Sequence, residues 1–192
     1  MNGPRPYAPR LVALLPAGAA GAPVEWAWSM RDAGVDGLAV AGGPADPVAR
    51  DLLAALRGAV PLPLELHFPA IPLPEPDWMG PLAATGIDWV VPGRALPEEL
   101  AARLETFGMG VAWPPARAPG DAARVHVVAG AGSADPFGGV PEAAERSLTL
   151  PDDPGAPPPE GATSADTLVV PGEALTGADP GAAVARLREG PA

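Results

Sequence analysis

At 192 residues, 47% of them hydrophobic, the chain is long enough for one sizeable core, and a single globular domain spanning residues 1–192 is expected. The absence of cysteine excludes disulfides, thiolate metal sites and cysteine nucleophiles. A net charge of −11 argues against binding to nucleic acid or to an anionic membrane surface.

The first ten residues lack the apolar segment of a signal peptide, and no apolar run approaches the ~18 residues of a membrane-spanning helix. A cytoplasmic protein is therefore expected. Every basic residue is arginine, and 29 prolines and 24 glycines accompany them, a composition typical of a GC-rich bacterial genome.

In chain order, short apolar runs typical of buried parallel strands alternate with helical segments. Gly34 suits the end of a first helix at residues 24–33, because glycine enters the left-handed region freely. Asp46, followed by Pro47, predicts the start of a second helix that runs to residue 59. Strands are predicted at residues 11–15, 38–41, 62–68, 87–91, 111–113, 125–128, 148–150 and 168–170.

The remaining helices are predicted to become shorter along the chain. Segments 77–85 and 97–107 are followed by short helices at residues 119–123 and 141–146. Segment 151–161 is too rich in proline for a helix or strand, so a loop is expected in place of the seventh helix. A last helix begins at Asp179-Pro180 and ends near residue 189.

Eight strand-like runs alternating with helices predict a parallel α/β fold. Residues 89–96 read WVVPGRAL and residues 168–175 read LVVPGEAL, which places a near-repeat on the fourth and eighth strands. A repeat offset by half the strands fits a barrel built from two similar halves, although a Val- and Pro-rich composition alone is the alternative. We predict a compact (β/α)8 TIM barrel with some helices reduced to loops, in which strands four and eight lie opposite each other.

Two ungapped segments resemble the alpha subunit family of tryptophan synthase. The family's strand-two motif has the form Gly-x-Asp followed by Asp-Pro-x-Ala, and the matching residues here are Gly34, Asp36, Asp46, Pro47 and Ala49. The family's fourth-strand segment is similar to residues 86–99, and the resemblance extends over about residues 11–128. It implies the same barrel fold, and it makes a tryptophan synthase beta-like subunit a candidate partner.

The resemblance also implies which residues would perform the family's chemistry, and they differ here. The family cleaves indole-3-glycerol phosphate with a glutamate on strand two and an aspartate after the Asp-Pro turn, and these positions are Ala39 and Arg50. A further strand-four aspartate falls on Arg94. Alanine cannot move a proton, and arginine stays protonated. By the family pattern no catalytic residue remains.

The family's two phosphate-binding loops correspond to residues 150–153 and 171–173. Three carboxylates in these segments, Asp152, Asp153 and Glu173, would repel a phosphate rather than bind it. No cofactor or metal site is expected from the sequence.

Three ionisable residues remain as candidates inside the barrel. The alternation of a strand places Glu65 and His67 inward on strand three and His126 inward on strand six. The two histidines fall where the resembled family has tyrosines that line its indole pocket. The three residues could share a proton or bind a metal, or they could be hydrogen-bonded core residues without metal-ligand spacing. We expect them to form the only polar cluster inside the barrel.

Two classes of function stay open. The preferred one is a pseudoenzyme, a divergent alpha-subunit-like barrel without lyase activity that acts as a binding or regulatory partner. The other is an enzyme: either an active indole-3-glycerol phosphate lyase of tryptophan biosynthesis, or a barrel with a new site at Glu65, His67 and His126.

Overall fold

The computed structural model describes residues 10–68, 76–115, 118–128, 137, 140, 143–151, 162, 164–176 and 179–189. Eight parallel strands form a closed barrel in sequence order. They are β1 (Arg10–Leu14), β2 (Gly37–Ala41), β3 (Leu64–Phe68), β4 (Trp89–Pro92), β5 (Gly110–Trp113), β6 (Arg124–Val128), β7 (Glu145–Thr149) and β8 (Thr167–Pro171). The barrel closes because β1 pairs with β8 along its whole length. β4 and β8 therefore lie opposite each other, and the predicted fold is confirmed.

Six α-helices accompany the strands in the described part of the chain. They are α1 (Pro23–Ala33), α2 (Pro47–Ala59), α3 (Met79–Ala83), α4 (Glu98–Thr106), α5 (Gly172–Leu175) and α6 (Pro180–Glu189), with 3-10 turns at Ala17–Ala19 and Pro76–Trp78. None of these helices has the length and apolar character that a membrane span requires.

The two predicted helix boundaries around β2 are confirmed. Gly34 ends α1 in the left-handed region with φ of 89°. The Asp46 side chain accepts a hydrogen bond of 2.9 Å from the backbone N–H of Val48 at the start of α2, where Pro47 is the first residue.

Two of the short helices predicted after β5 are wrong. Residues 119–123 form a turn that is closed by a hydrogen bond of 3.0 Å from the Ala122 N–H to the Pro119 carbonyl. The helix predicted at residues 141–146 is wrong at its end, because Glu145 and Arg146 belong to β7 and pair with β6. Its first two residues, and the predicted loop from Asp152 to residue 161, lie outside the described residues.

The strands separate two apolar regions. Residues such as Leu38, Leu64 and Leu66 face the helices and belong to the main core. Inside the barrel, Val12, Ala39 and Val169 form a separate small cluster. They come from three consecutive strands of the barrel, β8, β1 and β2. The alternation of β2 therefore turns Ala39 inward and Leu38 and Val40 outward.

Three aspartates fasten neighbouring strands at the N-terminal end of the barrel. The carboxylates of Asp36, Asp88 and Asp166, which precede β2, β4 and β8, accept hydrogen bonds of 2.8, 2.8 and 2.9 Å from backbone N–H groups of β1, β3 and β7. Each aspartate also donates its own N–H to the carbonyl of that same residue. The aspartates before β4 and β8 thus have the same structural role, and they lie one and two residues before the two copies of the near-repeat.

Two arginines strengthen these contacts. Arg188 of α6 donates to Asp36 at 2.9 Å and to the Gly34 carbonyl at 2.7 Å. Arg57 of α2 makes the equivalent contacts with Asp88 and the Gly86 carbonyl, both at 2.6 Å. The strand ends are therefore tied to the helix layer as well as to each other.

We expect Asp88→Ala to lower the free energy of unfolding by about 1–3 kcal/mol, because it leaves the buried N–H of Leu64 and the Arg57 guanidinium without this acceptor. Asp88→Asn should retain part of the stability, since its amide oxygen can still accept. The matched control is Asp32→Ala, which removes an exposed carboxylate whose one hydrogen-bond partner among the described residues is its neighbour Arg31. Urea unfolding measures all three, and equal losses at residues 88 and 32 would contradict the expectation.

Candidate functional site

A cleft of about 420 Å³ opens at the C-terminal mouth of the barrel, the end at which (β/α)8 enzymes carry their sites. We call it the mouth cleft. Among the described residues its walls are mostly apolar, and the polar side chains on its lining are two histidines, one on β3 and one on β6. The lining residues are Ala41, His67, Phe68, Val91, Pro92, Gly93, Pro114, Pro115, His126, Val127 and Val128.

Glu65 lies one layer below His67 on β3 and is only 2% exposed. Its Oε2 atom is 2.9 Å from Nε2 of His67, and its Oε1 atom is 2.5 Å from Nη1 of Arg124. Burial alone would raise the pKa of Glu65, but the hydrogen bond to His67 and the charge of Arg124 outweigh it and lower the pKa to about 2. The carboxylate is therefore ionised and can only accept hydrogen bonds.

The hydrogen on His67 follows from this contact. Because Glu65 has no hydrogen to give, Nε2 of His67 must carry one and donate it. In a neutral ring, Nδ1 then holds a free lone pair. Within the described ranges this nitrogen has no hydrogen-bond partner.

Arg124 at the start of β6 belongs to the candidate site, although it was not among the residues expected there from the sequence. It is 2% exposed, the largest of the fully buried side chains among the described residues, and it donates to both Glu65 and Ser147. Its guanidinium carbon lies 5.3 Å from the centre of the Trp89 ring, and Gly110 leaves the room that this ring occupies. A strand predicted to begin at residue 125 omitted it, although the alternation that turns His126 inward would also turn Arg124 inward.

His126 is held by two hydroxyl groups of β7. Its Nδ1 lies 3.1 Å from Oγ of Ser147, and its Nε2 lies 2.9 Å from Oγ1 of Thr149. Ser147 is 0% exposed and already accepts a hydrogen bond from Arg124, so its own hydrogen is best satisfied by donation to Nδ1. His126 then donates from Nε2 to Thr149.

The position of His126 disfavours a charged ring. Burial, followed by repulsion from His67 and Arg124, lowers the pKa of His126 to about 3. A proton added at Nδ1 would also displace the hydrogen donated by Ser147. His126 is therefore a neutral ring with both nitrogens engaged.

The three candidate residues come together inside the barrel, as the alternation of their strands predicts. The rings of His67 and His126 meet edge to face with centres 5.1 Å apart. The expectation that these residues form the only polar cluster is wrong, because β7 supplies Ser147 and Thr149 and β6 supplies Arg124. We call the six residues the interior polar network: Glu65, His67, Arg124, His126, Ser147 and Thr149.

The network continues toward the N-terminal end of the barrel. Oε1 of Glu145 lies 3.4 Å from Nε of Arg124 and accepts a hydrogen bond of 2.7 Å from Thr167. Over the described ranges, no group of three or more His, Asp and Glu side chains is arranged to hold a metal ion.

The positions that correspond to the family's catalytic acids lie elsewhere. Ala39 is 0% exposed and packs with Val12 and Val169 on the apolar side of the interior. Arg50 lies on α2 and is partly exposed, and Arg94 is exposed after β4. At the end of β8, Gly172 is pressed against the Leu14 carbonyl and the Pro16 ring.

No protein-family model matches the sequence, and no curated protein matches it. Solved structures match across nearly the whole chain. A tryptophan synthase structure from M. tuberculosis aligns with a TM-score of 0.67 and 16% identity over 95% of this chain and 92% of that one. The tryptophan synthase alpha chain from Legionella pneumophila subsp. pneumophila aligns at 0.57 and 12% over 95% and 89%. Phosphoribosyl anthranilate isomerase from Thermus thermophilus aligns at 0.62 and 16% over 93% and 98%. At these identities the likeness establishes the shared barrel fold.

We expect the free energy of unfolding to fall as the pH is lowered from 6.5. The unfolded chain protonates His126 near pH 6.5, whereas the folded protein does so only near pH 3, so acid favours the unfolded state. Glu65 extends the loss from about pH 4.5 toward 2. The slope between pH 6 and 4 should be on the order of 1 kcal/mol per unit from His126 alone. Urea unfolding of the protein and of His126→Asn measures it, and an unchanged slope in the variant would contradict the assignment.

We expect Arg124→Met to lower the free energy of unfolding by about 3–5 kcal/mol, because it leaves the buried Glu65 carboxylate without its cation. Combining it with Glu65→Gln should restore much of the loss, since the second change removes the unpaired charge. Urea unfolding at pH 7 compares both single variants with the double variant. Losses that simply add would show that the two side chains do not stabilise each other.

Proposed function

We propose that this chain is a divergent tryptophan synthase alpha-like barrel that does not cleave indole-3-glycerol phosphate and acts as a binding or regulatory partner protein. The observation that carries the proposal is the environment of Ala39. Where the resemblance calls for a catalytic glutamate, a methyl group packs against Val12 and Val169 inside the barrel. A carboxylate there would be buried without a partner, which costs several kcal/mol.

The division between retained and replaced residues supports this reading. Gly34 ends α1, Asp36 binds the N–H of Leu11, and Asp46 begins α2. These residues match the family motif and maintain the fold. Ala39 and Arg50, which stand at the positions of the acid and base, cannot perform that chemistry.

The residues at the end of β8 also disfavour binding of a phosphate in the manner that the resemblance implies. Gly172 is buried, and the carbonyl of Leu14 and the ring of Pro16 fill the space on the side where a Cβ atom would lie. Glu173 follows in the first turn of α5 and adds a negative charge.

The candidate partner is a beta-like subunit of tryptophan synthase in the cytoplasm of a GC-rich bacterium, with residues 1–192 acting as one domain. The shared fold with tryptophan synthase structures over 95% of the chain supports this choice. An affinity in the micromolar range or better should give a complex that survives size-exclusion chromatography. Separate elution of the chain and a purified beta subunit at tens of micromolar would remove the partner from the proposal.

We expect no measurable indole release from indole-3-glycerol phosphate, with or without a beta subunit. Loss of a positioned acid or base typically costs ~10²- to 10⁴-fold, and here both are replaced. An ordinary alpha subunit assayed in parallel is the control. Turnover near that of the control would overturn the proposal and support the active lyase instead.

A second candidate function is an enzyme with a new site at Glu65, His67 and His126. The observation that favours it is the 2.9 Å contact between a buried carboxylate and a histidine that lines the mouth cleft. A carboxylate that orients a histidine is the arrangement by which many enzymes activate a base.

A further inference from the structure

The mouth cleft limits the chemistry that its lining can support. No serine, threonine or cysteine is among the described residues that line it. Ser147 is fully buried and engaged with Arg124 and His126, so it is not an accessible nucleophile. In the part of the chain that the structure describes, the cleft therefore offers no hydroxyl or thiol for covalent catalysis, and a nitrogen lone pair is the reactive group that remains.

That lone pair belongs to His67. Both ring nitrogens of His126 are engaged by Ser147 and Thr149, whereas His67 uses only Nε2, which donates to Glu65. The edge-to-face contact between the two rings and the hydrogen bond to Glu65 fix the orientation of the His67 ring. Nδ1 of His67 is thus a hydrogen-bond acceptor with a fixed orientation, on a residue that lines the cleft.

The apolar walls of the mouth cleft and the charges near it indicate which class of ligand it can bind. Phe68, Val91, Pro92 and two further prolines suit an apolar body, and the described residues of the lining include no arginine or carboxylate. Below the cleft, Arg124 neutralises the negative charge of Glu65, which lies one layer under His67. The cleft therefore fits a small uncharged molecule better than a phosphorylated or carboxylated one.

We propose that His67 is a general base, positioned by Glu65, that removes a proton from carbon in a small uncharged apolar molecule, such as the carbon next to a carbonyl group. This proposal rests on the second candidate function. The Nδ1 lone pair forms the new N–H bond, and the C–H electron pair moves into the neighbouring bonds to give an enolate. The Glu65 carboxylate stabilises the imidazolium through Nε2–H, and return of the proton to carbon completes an isomerisation or an exchange with solvent.

The probe is 5-nitrobenzisoxazole, an uncharged planar carbon acid. Removal of its C3 proton turns the C–H pair into a nitrile bond, breaks the N–O bond and releases a coloured phenolate, with no other reactant needed. We expect saturable product formation faster than that from an equal concentration of imidazole, since the base is held in an apolar cleft. A rate no greater than that of imidazole would overturn the proposal.

Three variants test the roles. His67→Gln keeps a side chain that can bond to Glu65 and should lower kcat/KM at least ~10²-fold. Glu65→Gln should lower kcat with KM unchanged, because Glu65 does not line the cleft. Glu25→Gln, an exposed helix carboxylate with the same chemical change, should have no effect. An unchanged rate in His67→Gln would overturn the proposal even if Glu65→Gln fails to fold.

The result is separable from the lyase assay. Indole release with no phenolate formation would exclude the base and show an active lyase. Phenolate formation that depends on His67, with no indole release, would support the base and leave the loss of the lyase standing.

Discussion

The burial of one guanidinium constrains most of the polar interior. A charged arginine inside a barrel must be paired, because an isolated buried charge costs far more than the fold can supply. Arg124 meets this need with Glu65 from β3 and Ser147 from β7, which ties three strands together. The same contacts ionise the carboxylate and thereby fix the hydrogen on His67. The position of the hydrogen on a histidine of the mouth cleft is thus a consequence of how a cation deeper in the barrel is neutralised.

The interior is divided into two unlike sides. Val12, Ala39 and Val169 of the adjacent strands β8, β1 and β2 form an aliphatic cluster, while the interior polar network crosses the barrel from β3 to β6 and β7. In the family that this chain resembles, strand two carries a catalytic residue. Here the polar groups lie on other strands, so the likeness in fold does not extend to where reactive groups are placed.

The sequence predicts the framework well and the site only in part. The strands, the helix boundaries at Gly34 and Asp46 and the inward faces of β3 and β6 follow from apolar runs and strand alternation. β7 was misread because its inward residues are polar, and Glu145, Ser147 and Thr149 leave Leu148 as its only large apolar residue. Such a strand is recognised by its partners on the neighbouring strands β6 and β8, which a local pattern does not contain. Arg124 was missed for the same reason. The free-energy cost of burying its charge is offset by Glu65, which lies 59 residues away in sequence.

The aspartates at the N-terminal ends of the strands have a consequence for the order of folding. Their contacts join residues 25, 24 and 20 positions apart, which define the strand pairs β1–β2, β3–β4 and β7–β8 as local units. Arg188 reaches Asp36 across 152 positions. Contacts between near neighbours in sequence cost less loop entropy and form sooner. We therefore expect the three strand pairs to form before α6 packs against Asp36 and closes the contact with the first of them.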